Sequence, residues 1–531
     1  MSGKILKGPE QLEVPSLSLG QYFFKRAQEL GDRECQVDAD TGRSESFSSL
    51  KLRSTRVALG LQKRGVTSKD VVLTCTNITV DAPVPIVASY FLGAKIANLD
   101  PSLSVKQTSH LIGLVSPKVI FVEEASVPLI EESLRSANHK TEIVVFGKSE
   151  QYSTFSDLVT PQAEEASFRP SEVDIHDVAI MFFSSGTTGL PKAICHSHYS
   201  FMQASFAFQR SGVNIDTLLF FTSFYWMTAS LFLSWLFIGG SRRIVCRTME
   251  AERTFELIEK YKVTYLFVAP NLSYKLTKFT KKRDYDTSSL YSLMVGGTAM
   301  SSEQILKLST VLPHTQIIFI YGLSEIGLAS FNRPEDGQQV RQNKLGSCGT
   351  LTFGCSLKIL DPETKKVLGP NQKGYIYIKS RALMKGYYKK DSSDLFDEDG
   401  FMETGDIGYY DDDEYLYVIE REKEMFKYLS WHIVPSVVEG VLLEHPGVKE
   451  AVVFGLPRSD EEGEVPTACV VLKDGCNVSE QEIQDLVAGK LSDREKLRGG
   501  IFFVKELPMT PTGKVMRKEV RSNVINALIN K

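Results

Sequence analysis

The sequence has no CxxC pair and no His/Cys cluster at zinc-ligand spacing, although it carries cysteines at 35, 75, 195, 246, 348, 355, 469 and 476. Disulfide frameworks and zinc modules depend on such spacing, so scattered, reduced thiols are expected. An excess of either charge is also missing. The 61 Lys and Arg stand against 65 Asp and Glu, a formal net charge of -4, which gives no general attraction for nucleic acid or an anionic membrane. There is no internal repeat and no low-complexity segment. The first residues carry Lys4, Lys7, Glu10 and Glu13 without an apolar stretch, so no secretory signal is expected. The final Ile529-Asn530-Lys531 is not the Ser-Lys-Leu peroxisomal address, which leaves the cytoplasm as the expected compartment. Leu218 to Ile238 is free of charge and long enough for a membrane span. Polar Thr222, Ser223, Thr228, Ser230 and Ser234 interrupt it, however, and it reads as a strand entering a turn before a buried helix, not as an integral membrane span.

With 531 residues, 42% of them apolar and 24% charged, the chain is long enough for two or more lobes with separate cores, and its partner is expected to be a small molecule. Between about 71 and 322, β-rich runs (VVLTC, KVIFV, EIVVF, VAIMFF, YLFVAP, IIFIYG) alternate with helical-length segments. Strands without polar alternation, separated by helices, predict an α/β fold of mostly parallel sheets covered by helices, with ligands at the carboxyl ends of the strands. From about 350 to 420, closer strands and turn-rich segments predict a β-rich subdomain. After it, a helix near 435–444, two strands, a helix near 479–491, strand IFFVKEL and a last helix predict a small C-terminal α+β domain. The expected division is 1–420 and 421–531.

At the end of VAIMFF stands Ser184-Ser185-Gly186-Thr187-Thr188-Gly189-Leu190-Pro191-Lys192. Hydroxyls, exposed N–H groups and a lysine in so short a run can wrap a polyphosphate, with glycine allowing close backbone approach. The lysine follows Gly189 by three positions, so this is not the P-loop of nucleoside triphosphatases. On composition alone a polar connecting loop remains open.

Followed by His198, this segment closely resembles the AMP-binding signature of the acyl-adenylate-forming superfamily, which includes acyl-CoA synthetases, 4-coumarate:CoA ligases, beetle luciferases and peptide-synthetase adenylation domains. The resemblance continues in order through Gly296-Gly297-Thr298-Ala299, Tyr321-Gly322-Leu323-Ser324-Glu325, Thr404-Gly405-Asp406, Glu420-Arg421, Lys427 and Pro511-Thr512-Gly513-Lys514, and spans nearly the whole chain. It implies an enzyme that uses ATP, Mg2+ and coenzyme A to join a carboxylic acid to AMP and then to a thiol. The 184–192 loop would hold the β- and γ-phosphates, and Glu325 would position magnesium, for which a carboxylate oxygen is a suitable ligand. Tyr321 would stack on adenine beside the 297–299 backbone. Asp406 would accept both ribose hydroxyls, with Arg421 a further donor to that sugar. Lys514 would bridge the carboxylate and the α-phosphate during adenylation, a role that suits a point-charge ammonium. The small domain would be mobile about a hinge near 420–423.

The chain departs from its relatives in several places. Phe224-Tyr225-Trp226-Met227 stands where many carry Phe-His in the acyl pocket. An aromatic, charge-free segment favours a fatty or aryl acid, while ordinary core packing stays open. No aspartate for an amino group appears in it. Ala193, Ile320 and Glu420 are smaller substitutions for Gly, Gly and Asp. In Tyr428-Leu429-Ser430-Trp431-His432, relatives commonly show glycine at Ser430 and glutamine at His432, so the thiol route beside Lys427 is altered. His432 reads either as a base or as an exposed histidine without a role. Luciferases place an arginine at the position of Ala204, which counts against light emission. A luciferase-like adenylate user and a nucleotide-binding pseudo-enzyme are the alternatives to a free-standing ligase.

Overall fold

The computed structural model describes residues 3–10, 13–183, 191–209, 212–279, 283–296, 302–333, 343–428, 431–459, 463–509 and 514–529. Contacts divide the chain into two compact units, Ile5–Leu357 with Ile378–Glu403, and Met1–Lys4 with Lys358–Tyr377 and Thr404–Lys531.

The larger unit is built on two sheets. The eight-stranded one runs Gly386–Tyr387, Ala193–Ser197, Val178–Phe183, Lys95–Leu99, Val71–Cys75, Val119–Glu123, Glu142–Phe146, Ser153–Thr154. From Val178–Phe183 outward its pairs are parallel, whereas Ala193–Ser197 lies antiparallel to both neighbours. The nine-stranded sheet has a parallel centre of Ser292–Val295, Tyr265–Val268, Thr217–Phe220 and Arg242–Val245. Antiparallel strands Gly327–Phe331 and Ser44–Ser46 stand toward its two edges. The α/β expectation therefore holds, with mixed rather than purely parallel sheets. Buried on both faces, the central strands need no polar alternation, as in Val71–Cys75, where every residue is buried.

The charge-free run resolves into strand Thr217–Phe220, a turn, and helix Met227–Gly239, which is apolar all round and buried on nearly every side. Among the described residues no helix is long and apolar enough to cross a membrane.

In the smaller unit the long antiparallel pair Val448–Ser459 and Gly463–Leu472 forms the spine, with Ile501–Phe503 parallel to the second strand. Adjacent residues point to opposite faces. Val453 and Val470 join Val438, Ile483 and Val487 in one core, while Val452 and Cys469 join Val520 and Val524 in another. Helices Pro435–Leu443, Glu480–Lys490 and Arg517–Ile529 supply those partners, close to the bounds the sequence predicts. The β-rich stretch is realised by Cys355–Leu360, Gly374–Ser380, Met402–Tyr410 and Leu416–Arg421.

Candidate active site

Strand Val178–Phe183 ends where the phosphate-binding motif begins, and Ala193, just after the motif, pairs with Phe183 on an antiparallel strand. Ser184, Ser185, Gly186, Thr187, Thr188 and Gly189 lie outside the described residues, as do Gly297, Thr298, Ala299, Ser430 and 511–513. At the loop's far end His110 Nε2 lies 2.9 Å from the Pro191 carbonyl. The exposed Lys192 sets its ammonium 4.6 Å from the centre of the Tyr387 ring. The Tyr387 hydroxyl in turn donates to Glu325 Oε1 at 3.2 Å. Sequence reasoning passed over Tyr387. It reaches the site because Ile194 pairs with Tyr387 and because the Met384 and Tyr388 amides donate to the Glu325 and Ala193 carbonyls, both at 2.8 Å.

Glu325 stands in the turn between strands Gln316–Leu323 and Gly327–Phe331. Tyr321 is buried, 7% exposed, at a bulge in this pair. Gly322 is required there, since a Cβ would meet the Gly327 carbonyl oxygen at 2.2 Å. Gly296 lies beside it: its missing side chain makes room for Ile320, whose Cγ1 would be 2.5 Å from an added Cβ. Ser324 contributes its carbonyl, which faces His196 Nε2 at 2.7 Å. His196 is fully buried, its Nδ1 is 3.3 Å from Ser200 Oγ, and burial lowers its pKa to about 4. His198, the histidine singled out from the motif, is equally buried and heads helix His198–Gln209. Its Nδ1 accepts from the Leu19 amide at 3.2 Å, and burial lowers its pKa to about 4. The His198 imidazole is thus held on a backbone amide through Nδ1, while His196 is the histidine brought to the Ser324-Glu325 turn.

The aromatic segment after Thr217–Phe220 is anchored by Ser223 Oγ, which donates to Asp100 Oδ2 at 2.6 Å. Thus a carboxylate from the other sheet reaches this segment although none occurs within it. Phe224 is buried, with the Arg243 guanidinium 5.5 Å from its ring centre. Tyr225 is buried in the core with Phe183, Leu99 and Leu103, and burial and the Asp100 charge push its hydroxyl up to about 12. Between Phe224 and Met227 only Trp226 is partly exposed, with its ring centre 4.9 Å from that of Tyr225. Phe224 and Tyr225 are thus buried aromatic residues in this structure. A cavity of about 270 Å3 lies elsewhere, lined by Ile305, Pro313, His314, Gln316, Lys344 and Ser347, and includes none of the sequence candidates.

In the smaller unit, Asp406 and Arg421 are register partners on adjacent strands. Asp406 lies within strand Met402–Tyr410, its side chain 4% exposed and 3.0 Å from Arg421 Nε, so it is a buried paired carboxylate rather than a loop charge. Gly405, at φ +71, has the backbone that favours glycine. Glu420 accepts from the Arg421 and Ser436 amides, both at 3.1 Å, the latter in the first turn of helix Pro435–Leu443. Lys514 Nζ is 3.2 Å from Glu424 Oε1. Glu424 also pairs with Arg517, which reaches Glu439 Oε1 at 2.7 Å. Burial opposes ionisation of Glu424, but the charges of Arg517 and Lys514 hold its carboxyl below the ordinary range. The backbone of Lys427 pairs with His432 on strands Phe426–Tyr428 and Trp431–Ile433, and the side chains of both residues lie outside the description. Among the described residues no group of three His, Cys, Asp or Glu side chains could hold a metal.

The family model for AMP-binding enzymes matches residues 23–388, and that for the AMP-binding enzyme C-terminal domain matches 437–514. A 4-coumarate-CoA ligase of Narcissus pseudonarcissus is 30% identical over 535 aligned positions, covering 98% of this chain and 96% of the relative. Luciferin 4-monooxygenase of Nipponoluciola cruciata is 29% identical over 91% of this chain and 90% of its own. Among solved structures, the luciferase-like enzyme from the nonluminescent mealworm Zophobas morio is 50% identical, covers 80% of this chain and 100% of its own, and superposes with a TM-score of 0.78. With both family models matched in order and the Lys192–Tyr387–Glu325 group assembled, the chain belongs to the AMP-binding enzymes, the acyl-adenylate-forming family.

Proposed function

We propose that the protein is an ATP-dependent acid:CoA ligase, which activates a fatty or aryl carboxylic acid as acyl-AMP with release of pyrophosphate and then transfers the acyl group to coenzyme A. The observation that carries this reading is the pairing of Lys192 and Glu325 around Tyr387, inside a chain matched by both family models. A carboxylate is a poor electrophile, so its oxygen first attacks the α-phosphate and expels pyrophosphate. That step needs fixed positive charge where negative charge develops. Lys192 supplies it at the departing phosphates, and Lys514 at the carboxylate and α-phosphate. The buried, paired Asp406 is suited to accept the ribose hydroxyls, with Arg421 beside it. Tyr321 offers its ring to adenine. Glu325 fits Mg2+, which is held by one or two carboxylates together with substrate phosphates rather than by a protein cage, and the ion would neutralise phosphate charge there. In the second half-reaction the thiol sulfur attacks the acyl carbonyl and AMP leaves, with Lys427 and the 430–432 turn at the thiol's entry.

A thioester-forming ligase is favoured over a light emitter by Ala204. Its methyl group, 2% exposed and beside Gly327, offers no charge where luciferases place an arginine. The test incubates the protein with ATP, Mg2+, coenzyme A and a series of fatty and aryl acids, and follows thioesters by mass spectrometry. Thioester from at least one member of either class is expected. Acyl-AMP accumulating without thioester for every acid accepted would contradict the ligase reading, and recovery of thioester in Ser430→Gly would locate the block in the altered loop.

A further inference from the structure

We propose that Tyr387 is a positioning residue for the nucleotide, holding Lys192 through its ring face and Glu325 through its hydroxyl. The inference rests on the ATP-dependent reading above. A lysine side chain has four rotatable carbons, and an ammonium meant for a phosphate must be kept from dispersing among them. The Tyr387 ring provides an attractive face 4.6 Å from that ammonium. The same residue's O–H binds one oxygen of Glu325 and leaves the other free to accept a cation. Both contacts come from one side chain, and its own backbone is clamped. Tyr387 pairs with Ile194, its amide donates to Ser392 Oγ at 2.9 Å, and the preceding Gly386, at φ +131, has Ser392 Oγ 3.2 Å from where its Cβ would stand. Lys192 comes just before strand Ala193–Ser197, and Glu325 accepts the Met384 amide through its carbonyl. Movement of the 384–388 segment therefore moves both functional groups together.

Equilibrium binding separates this role from a structural one. ATP is titrated calorimetrically into the full-length protein without acid substrate, with and without Mg2+, for wild type, Tyr387→Phe and Tyr387→Leu. Phenylalanine keeps the ring under Lys192 and deletes the bond to Glu325. Metal-free affinity should stay within about twofold of wild type, while the gain in affinity that Mg2+ brings falls roughly tenfold, the loss of one hydrogen bond to a charged group. Leucine removes the ring as well, so metal-free affinity should also drop about three- to fivefold. If Tyr387→Leu fails to fold, the Mg2+-dependent gain in Tyr387→Phe decides alone. Variants that match wild type in both conditions, or that weaken by one common factor with and without metal, would overturn the proposal. Wild type that binds no ATP in either condition would reject the nucleotide reading itself and the proposal with it.

Discussion

Gly296 and Ile320 illustrate how one side chain dictates another in this site. An added Cβ at 296 would stand 2.5 Å from Ile320 Cγ1, so Gly296→Ala should cost about 1–3 kcal/mol through overpacking. Combined with Ile320→Ala, which empties that space, it should cost much less than the two single changes added together. Denaturant unfolding of the four proteins measures the coupling, and strictly additive losses would show that the two positions do not compete for space. The buried histidines make a pH prediction. Burial lowers His196 and His198 from 6.5 to about 4, so the unfolded chain binds protons that the folded one refuses. Their stabilising contribution is complete above the ordinary histidine value and is lost as pH falls through it toward about 4. Unfolding free energy should decline between roughly pH 7 and 5, above most of the carboxylate range. A flat profile across that interval would contradict the burial of two neutral imidazoles.

Helices of the smaller unit are tied together by charge as well as by apolar packing. Arg517, at the start of helix Arg517–Ile529, pairs with Glu424 in the short helix Glu422–Glu424 and with Glu439 in helix Pro435–Leu443. All three side chains are under 20% exposed, and burial raises Glu439 despite the nearby arginine. Arg517→Ala would leave the buried Glu439 without its cation and Glu424 with Lys514 alone, for a loss of about 3–5 kcal/mol at neutral pH. The deficit should shrink toward pH 5, because the stranded Glu439, already raised by burial, can then be buried protonated. A loss below 1 kcal/mol in chemical denaturation would show the ion pairs to be incidental. The same scale shows what the sequence could and could not reveal. Val71–Cys75, Glu142–Phe146 and Val178–Phe183 appear with the bounds read from their apolar runs, because strands buried on both faces carry no competing pattern. Arg242–Val245 was missed because it opens with two arginines. Arg243 is nevertheless fully buried, and only tertiary partners, the Gln36 side chain and the Thr79 carbonyl, make that tolerable. Tyr387 was missed for a related reason: its value lies in pairing with Ile194, which no local motif announces. His196 was likewise not singled out from the sequence, and the bulge that follows it, between His196 and Ser197, is invisible to a spacing rule.

For the molecule as a whole, the motifs read from the sequence are distributed over both compact units. Lys192, Tyr321 and Glu325 lie in one, and Asp406, Arg421 and Lys514 in the other. That distribution is why the activity is best tested with the intact chain and with the residue whose chemistry is most specific. In this structure Lys514 rests 3.2 Å from Glu424, and the account assigns its ammonium to the charge that develops at the carboxylate and α-phosphate in the adenylation transition state. Loss of a group acting on that charge should slow the chemical step far more than it weakens ground-state nucleotide binding. The direct measurement is acid-dependent exchange of labelled pyrophosphate into ATP, run across a series of fatty and aryl acids for wild type and Lys514→Ala, with ATP affinity measured alongside. Wild type should exchange with at least one acid, and Lys514→Ala should lose exchange by at least about a hundredfold while ATP affinity changes by less than about tenfold. Exchange absent from wild type with every acid, or undiminished in Lys514→Ala, would contradict the assignment of acyl-adenylate chemistry to these residues.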